Sequence, residues 1–382
     1  MTQSQKGPMS GVRVLDLSRV LSGPFCTSMM ADLGAEVVKV EQGSGDDARH
    51  FGPFDGDYSV YFAQFNRNKK SIIIDLKKQG DVNLLKTLAK KADVFVENFR
   101  PGVAARLGID YETLQPINPQ LIYLSLSGFG QTGPMATKPA YDIIVQAMSG
   151  LMSITGATDG GPTRVGESFG DLIAGVYGSW AVSTALFSRS LSGLGMNIDV
   201  AMFNTLFAMQ VTALAQYFTT DIAPARIGNR HPAGAPFDSF QARDGTIVLA
   251  VISDPQFSGL CKIMDKPELT EDPRFSSFAS RTKNEPELMP LIEQWTLTKD
   301  VEEIIRLCGD EGVPAGPVWD VKTAAESTQA TQKSLTQTVP HPGTGNMRYI
   351  SQPVRFGDFT SDITPEPELG ADHEEVIRSW LS

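Results

Sequence analysis

Cysteine is nearly absent. Cys26, Cys261 and Cys308 are three in 382 residues, too few and too scattered for a disulfide framework, and they fit a reducing compartment. Histidine is almost as rare. His50, His231, His341 and His373 stand far apart, and no Cys or His pair shows metal-ligand spacing, so no metal is expected. Positive charge is short as well: 33 Lys and Arg against 44 Asp and Glu leave a net charge of -11. That balance speaks against nucleic acid, whose phosphates need clustered cations. It also repels anionic membranes, and no apolar run approaches the ~20 residues of a membrane span. The stretch from Met1 to Met9 is polar and lacks the apolar core of a signal peptide. The expectation is a cytoplasmic protein with neither nucleic acid nor membrane as partner. Any anionic ligand must then meet a local basic patch.

What is present is globular: 41% hydrophobic and 20% charged residues, over a length comfortable for two domains. VRVLDL (12–17) alternates as a strand, a turn follows at Ser22-Gly23-Pro24, and a helix runs through FCTSMMADLG to Gly34. With the strand AEVVKVE (35–41) this makes a parallel βαβ crossover. The pattern recurs in SIIIDL (71–76), a helix over 81–92, DVFVENF (93–99) and LIYLSLSGF (121–129). It predicts an α/β fold with an open, mostly parallel, Rossmann-like sheet. The Ala- and Gly-rich helices from Tyr141 to Ser190 are expected to be buried, and NIDVAMFNTLFAM (197–209) adds a strand and a helix. The turn-rich GNRHPAGAPFDSF (228–240) marks a boundary. A smaller α/β unit starts at DGTIVLAVIS (244–253), continues through helices near 286–307 and leaves by a loop at 309–319. The tail carries a last helix from Asp372 and rejoins the first unit. The domains drawn are 1–225 with 325–382, and 226–324 with linkers.

GFGQTG (128–133) matches the G-x-G-x-x-G dinucleotide phrase, but Pro134 stands where a helix should open, so a Gly-rich turn is the better reading. GESFGDLIAG (166–175) is more informative. Asp171 sits between a Gly-flanked loop and an apolar helix. It suits a helix cap, and it equally suits a reactive carboxylate kept ionised by the helix dipole. Gly170 beside it leaves room for a bulky ligand. The two roles are compatible, and local pattern alone favours the cap.

GVRVLDLSRVLSGPFCTSMMADLGAEVVKVE, FNRNKKSIIIDLK, ADVFVENFRPGVAARLG, LSGFGQTGP, AYDIIVQAMSG and VGESFGDLIAG follow one another in register. Together they resemble the family III coenzyme A transferases, the group that includes formyl-coenzyme A and carnitine coenzyme A transferases. The resemblance is dense over the first 240 or so residues and thinner beyond. It implies a large domain built from both chain ends, a small domain on long linkers, and two chains interlocked as a homodimer. It also implies coenzyme A transfer between carboxylic acids, with Asp171 as covalent nucleophile, an acyl-coenzyme A and a free acid as partners, and no permanently bound cofactor. Carried over residue by residue, coenzyme A is met by Lys77, Arg106 and Lys138 at its phosphates and by Asn98, Phe99 and Arg100 along its adenine and pantetheine path. Ile74 is a further expected coenzyme A contact, and Val20, Leu21 and Ser22 lie near the thiol.

Two departures narrow the reading. Gln42 stands where formyl-coenzyme A transferase has a basic residue, and Leu21 where it has a glutamine, so formate and oxalate are poor substrate expectations. The resembling racemases of 2-methylacyl-coenzyme A esters carry a His where this chain has Tyr141, whose ordinary pKa of about 10 suits proton shuttling poorly. A silent coenzyme A-binding protein is the alternative from another class. Arg49, His50, Arg164, Arg230 and His231 are expected carboxylate binders, which makes a dicarboxylate such as succinate the expected acid. The loop at GNRHPAGAP is the expected lid.

Overall fold

The computed structural model describes residues 6–382; the first five residues, where the polar N-terminal stretch begins, lie outside it. Six strands form the main sheet: β1 (Arg13–Asp16), β2 (Glu36–Glu41), β3 (Lys69–Ile73), β4 (Val94–Glu97), β5 (Ile122–Ser127) and β6 (Met196–Ala201). Their order is β3-β2-β1-β4-β5-β6, and every neighbouring pair is parallel. The expected open parallel sheet is therefore what forms. Parallel strands need crossovers, and the crossovers cover both faces, which is why these strands read as continuous apolar runs. One face packs Val14, Val37, Val94 and Ile122 against Cys26 and Met30 of α1 (Ser22–Asp32). The other packs Leu15, Val38 and Phe95 against Leu85, Leu88 and, from the last helix His373–Leu381, Val376 and Trp380. The direction in which successive strands are added reverses between β1 and β4. This is the switch point where open α/β sheets leave a crevice at the strand ends.

Three elements differ from the sequence pattern. β3 starts two residues before SIIIDL because Lys69, a charge that breaks the apolar run, is itself buried in the strand. Residues 315–317, expected as loop, pair with the strand Thr246–Ala250. The hairpin Thr336–His341 with Gly345–Ile350 was not expected at all.

The helices from Tyr141 to Ser190 are not buried all round either. α2 (Asp142–Met148) and α3 (Phe169–Ser192) each bury one face. On α3 the inward stripe is Gly170, Ala174, Gly175, Gly178, Val182 and Ala185, while Trp180 and Phe187 are exposed by 64% and 67%.

The chain divides into two compact units. The first takes the chain up to Met152, then Arg164–Thr219 and Thr328–Ser382; the second takes Ser153–Thr163 and Thr220–Ser327. Ser153–Thr163 thus groups with the second unit, although it falls inside the 1–225 range drawn for the large domain. The second unit holds an antiparallel sheet of Phe237–Gln241, Thr246–Ala250 and Ala315–Pro317 over its own core of Phe240, Leu249, Phe257, Leu260 and Ile292. Among the described residues no helix is long and apolar enough to cross a membrane.

Candidate active site

β1 ends in a buried carboxylate. Asp16 is 0% exposed, accepts from Thr27 Oγ1 at 2.6 Å and the Ser18 hydroxyl, and pairs with Lys69 Nζ at 2.9 Å. Lys69 is completed by Asn66 Oδ1 and the Pro24 carbonyl, each at 3.0 Å. Burial pushes the Asp16 carboxyl up, but Lys69 and Lys39 outweigh it and hold it at about 2. Removing charges from water is repaid only when each partner is fully bonded, as here.

Above this floor lies the turn from Ser18 to Ser22. Asn98, just past β4, clamps the Arg19 main chain, accepting from its N–H and donating to its C=O, both at 2.8 Å. Val20 N–H donates to Asp46 at 3.0 Å, and Asp46 pairs with buried Lys39 at 2.8 Å. Val20 sits at φ +66°, a costly conformation for a β-branched residue, which these two clamps sustain.

The turn delivers Ser22 to Asp171. Gly175, one helical turn beyond Asp171, has no room for a side chain: a Cβ there would lie 2.9 Å from the Ser22 carbonyl and 3.0 Å from Phe25. α1 therefore lies directly on α3, and Ser22 hydrogen-bonds the Asp171 carboxyl. Asp171 is in the first turn of α3 but does not cap it, contrary to the sequence pattern. The carboxylate that satisfies the helix head comes from α2: Asp142 Oδ1 accepts from Gly170 N–H at 2.7 Å, and the N-cap residue Ser168 makes no side-chain bond. Gly170 leaves space for Asp142 rather than for a ligand, since a Cβ would meet its Oδ1 at 3.0 Å. Nor does the dipole keep Asp171 ionised. Burial and then the Asp142 charge raise its pKa to about 7 against the Ser22 hydrogen bond.

Tyr61, on the helix Val60–Asn66, is a neighbour that sequence reasoning missed. Its hydroxyl is pushed up to about 12, first by burial and then by Asp171 and Asp46. It belongs to an aromatic chain: Phe51 to Tyr61 at 6.0 Å, Tyr61 to Phe65 at 5.1 Å, Phe65 to Phe25 at 6.0 Å. The aromatic-rich phrase YSVYFAQF was the available signal. Glu97 was missed too. Burial raises it to about 7, and it bonds Ser125 and, at 2.7 Å, the Phe99 N–H, which fixes Phe99 at the switch point.

The crevice at the switch point is walled by Ile74, Leu76 and Phe99, with Arg19 and Gln42 also lining it. Ile74 and Phe99 thus meet in one pocket. Leu21 is turned into the core at 4% exposure, and the Asn98 amide is engaged with the main chain. Lys77, Arg100, Arg106 and Lys138 are solvent-exposed; Arg106 is carried on the short helix Val103–Leu107 between left-handed Gly102 and Gly108. Of the expected carboxylate binders, two are engaged elsewhere. Arg49 holds Glu41 through two bonds at 2.7 and 2.8 Å, and Arg230 pairs with Glu285 at 2.7 Å. His231 stacks on Phe237 at 4.9 Å, while His50 and Arg164 are exposed. No group of His, Cys, Asp or Glu among the described residues could hold a metal ion.

Fold and site together define a doubly wound α/β protein that sets a carboxyl of raised pKa at a helix head, against the turn that follows β1. The chain belongs to CoA-transferase family III, whose profile matches residues 9–373. It is 47% identical over 332 residues to the acetyl-CoA:oxalate CoA-transferase of Acetobacter aceti, covering 86% of this chain and 85% of that one. It is 37% identical to the succinyl-CoA:glutarate CoA-transferase of Mus musculus, covering 98% and 86%. A CaiB/BaiF family protein from Brucella suis has the same fold, with a TM-score of 0.86 at 34% identity over 99% of this chain and 100% of that one.

Proposed function

We propose that this CoA-transferase works through Asp171 as a covalent nucleophile. A carboxylate oxygen of Asp171 attacks the carbonyl carbon of the acyl thioester, the C–S bond breaks, and coenzyme A leaves as thiolate with a mixed anhydride behind it. The thiolate then attacks the Asp171 carbonyl, the donor acid leaves as carboxylate, and an aspartyl thioester remains. The acceptor carboxylate repeats both steps in reverse and restores Asp171. Each intermediate is an activated acyl group, so no external energy source enters.

The observation that carries this reading is the Asp171 carboxyl at the head of α3, raised to about 7 and held by Ser22. A more basic carboxylate is a stronger nucleophile, and at neutral pH a sizeable fraction is ionised. The first N–H groups of α1 lack helical partners and lie on the Ser22 side, where they can steady the oxyanion of each addition. Coenzyme A lies along the crevice between Ile74 and Phe99, past the main chain of Val20, Leu21 and Ser22, with Lys77, Arg100, Arg106 and Lys138 reaching its phosphates. Asn98 shapes this path by holding the Arg19 main chain.

The acids include a dicarboxylate. The relatives named for oxalate and glutarate transfer support this, and Arg164 and His50, both exposed, remain as binders. The resemblance-based warning against oxalate loses weight beside a relative named for that acid. The protein works as a homodimer in the cytoplasm, which the free, buried Cys26, Cys261 and Cys308 suit. Hydroxylamine or borohydride trapping during turnover decides the mechanism: modification at Asp171 supports it, and turnover with Asp171 unmodified refutes it.

A further inference from the structure

One side chain sews the approach to α3 onto α2. Gln146 is 0% exposed and uses both ends of its amide. Its Oε1 accepts from the Val165 N–H at 2.9 Å, while its Nε2 donates to the Glu167 carbonyl at 3.2 Å and to Asp142 Oδ2 at 2.7 Å. The other Asp142 oxygen takes the Gly170 N–H at 2.7 Å. Two residues four apart on α2 thus fix the chain at Val165, Glu167 and Gly170, the segment that ends at Asp171.

We propose that Gln146 is a positioning residue for Asp171, setting the head of α3 and holding the Asp142 charge beside the nucleophile. The proposal rests on the reading of Asp171 as nucleophile and adds what orients it. Nothing local does so, because Ser168 leaves the helix without a side-chain cap. An amide suits the task because it alone offers an acceptor and two donors on one planar group. Asp142 is buried to 8% exposure, where polar oxygens need partners, and Gln146 supplies one of its two bonds. The groups that act on the Asp171 carboxyl are Asp142 from α2 and Ser22 from α1, and its charge in turn raises Tyr61 on the helix Val60–Asn66.

Two variants test this, Gln146→Met, which keeps volume and removes all three bonds, and Gln146→Glu, which keeps shape and the acceptor for Val165. Formation of the Asp171 adduct is followed in single turnovers across pH, beside steady-state kinetics and thermal melting. Gln146→Met is expected to lower kcat by about tenfold or more, since small misplacements of a reacting group are costly. The KM for the acyl thioester should stay within about threefold, because coenzyme A binding is not touched. In Gln146→Glu the added acid is expected to raise the pH midpoint of adduct formation by about half a unit or more. Should Gln146→Met fail to fold, Gln146→Glu alone decides. Adduct forming in the variants at the native rate and native midpoint overturns the role of Gln146, even if melting falls. A raised KM with kcat kept overturns it equally. Turnover without adduct in the unaltered protein overturns instead the reading of Asp171.

Discussion

Asp142 and Asp171 meet the same helix head from two directions. Asp142 comes from α2 and binds the Gly170 N–H at 2.7 Å, and Asp171, the next residue along α3, bonds Ser22. Two acids so placed do not ionise independently. Asp142 is bonded on both oxygens, while Asp171, beside it, is raised to about 7.

Asp142→Asn tests that division of labour. The amide oxygen still accepts from Gly170, while the like charge is gone. The pH midpoint of adduct formation should fall by about one unit, toward the ordinary carboxylate range. An unmoved midpoint assigns the shift to burial alone.

The raised pKa of Asp171 also makes stability depend on pH. Its carboxyl rises from 3.8 when free to about 7 when folded, so between these values the folded protein holds the extra proton. Stability contributed by that proton is present below the lower value and is lost as pH climbs through the upper one. Asp171→Asn carries no such group. It should melt above the native protein at about pH 8, by up to roughly 4 kcal/mol, and show the advantage shrinking toward pH 4. Thioester exchange by the same variant should fall by about a thousandfold or more, because an amide cannot form the anhydride.

Gly175→Ala asks whether contact between α1 and α3 places Ser22. The added carbon must displace the Ser22 carbonyl from 2.9 Å, so α1 shifts. Overpacking of this kind costs about 1–3 kcal/mol. Exchange should drop further than melting explains, with the KM for the free acid and kcat both altered. Full activity in a stable Gly175→Ala protein removes Ser22 from the mechanism.

These tests fall largely on relationships hidden from the sequence. The βαβ order was legible because period-2 strands and helical spacing are local signals, and Gly34, at φ +93°, closes α1 as its position suggests. β3 was clipped because Lys69 looks like a loop residue until its buried partner Asp16, 53 positions away, is in view. Asp171 stood out as a carboxylate near a helix start. Its true surroundings did not: Asp142 caps the helix across 28 positions, and Val165 is bonded to Gln146 across 19. In sequence, Asn98 reads only as a lining of the coenzyme A path, since its grip on Arg19 spans 79 positions. Side-chain bonds between distant segments carry no periodicity, so pattern alone cannot reveal them.

α3 carries a second, outward message. Its inner stripe is made of small residues that seat it on α1 and the sheet, yet Trp180, Phe187 and Leu191 face solvent at 64%, 67% and 76% exposure. Spaced at seven and four residues, they form one apolar line on the helix. Large apolar side chains gathered on a soluble surface mark an interface, and the chain identity best suited to cover a self-contained stripe is a second copy. A stable pair needs roughly 800 Å² covered on each partner, so one charge within the line should be enough to weaken it. Trp180→Glu is therefore expected to shift the protein toward monomer in sedimentation velocity at micromolar concentration. Because Trp180 lies outside the buried stripe, circular dichroism of the variant should remain that of the native fold. A dimer that persists at native affinity in Trp180→Glu places the subunit contact elsewhere, and leaves this stripe without a partner.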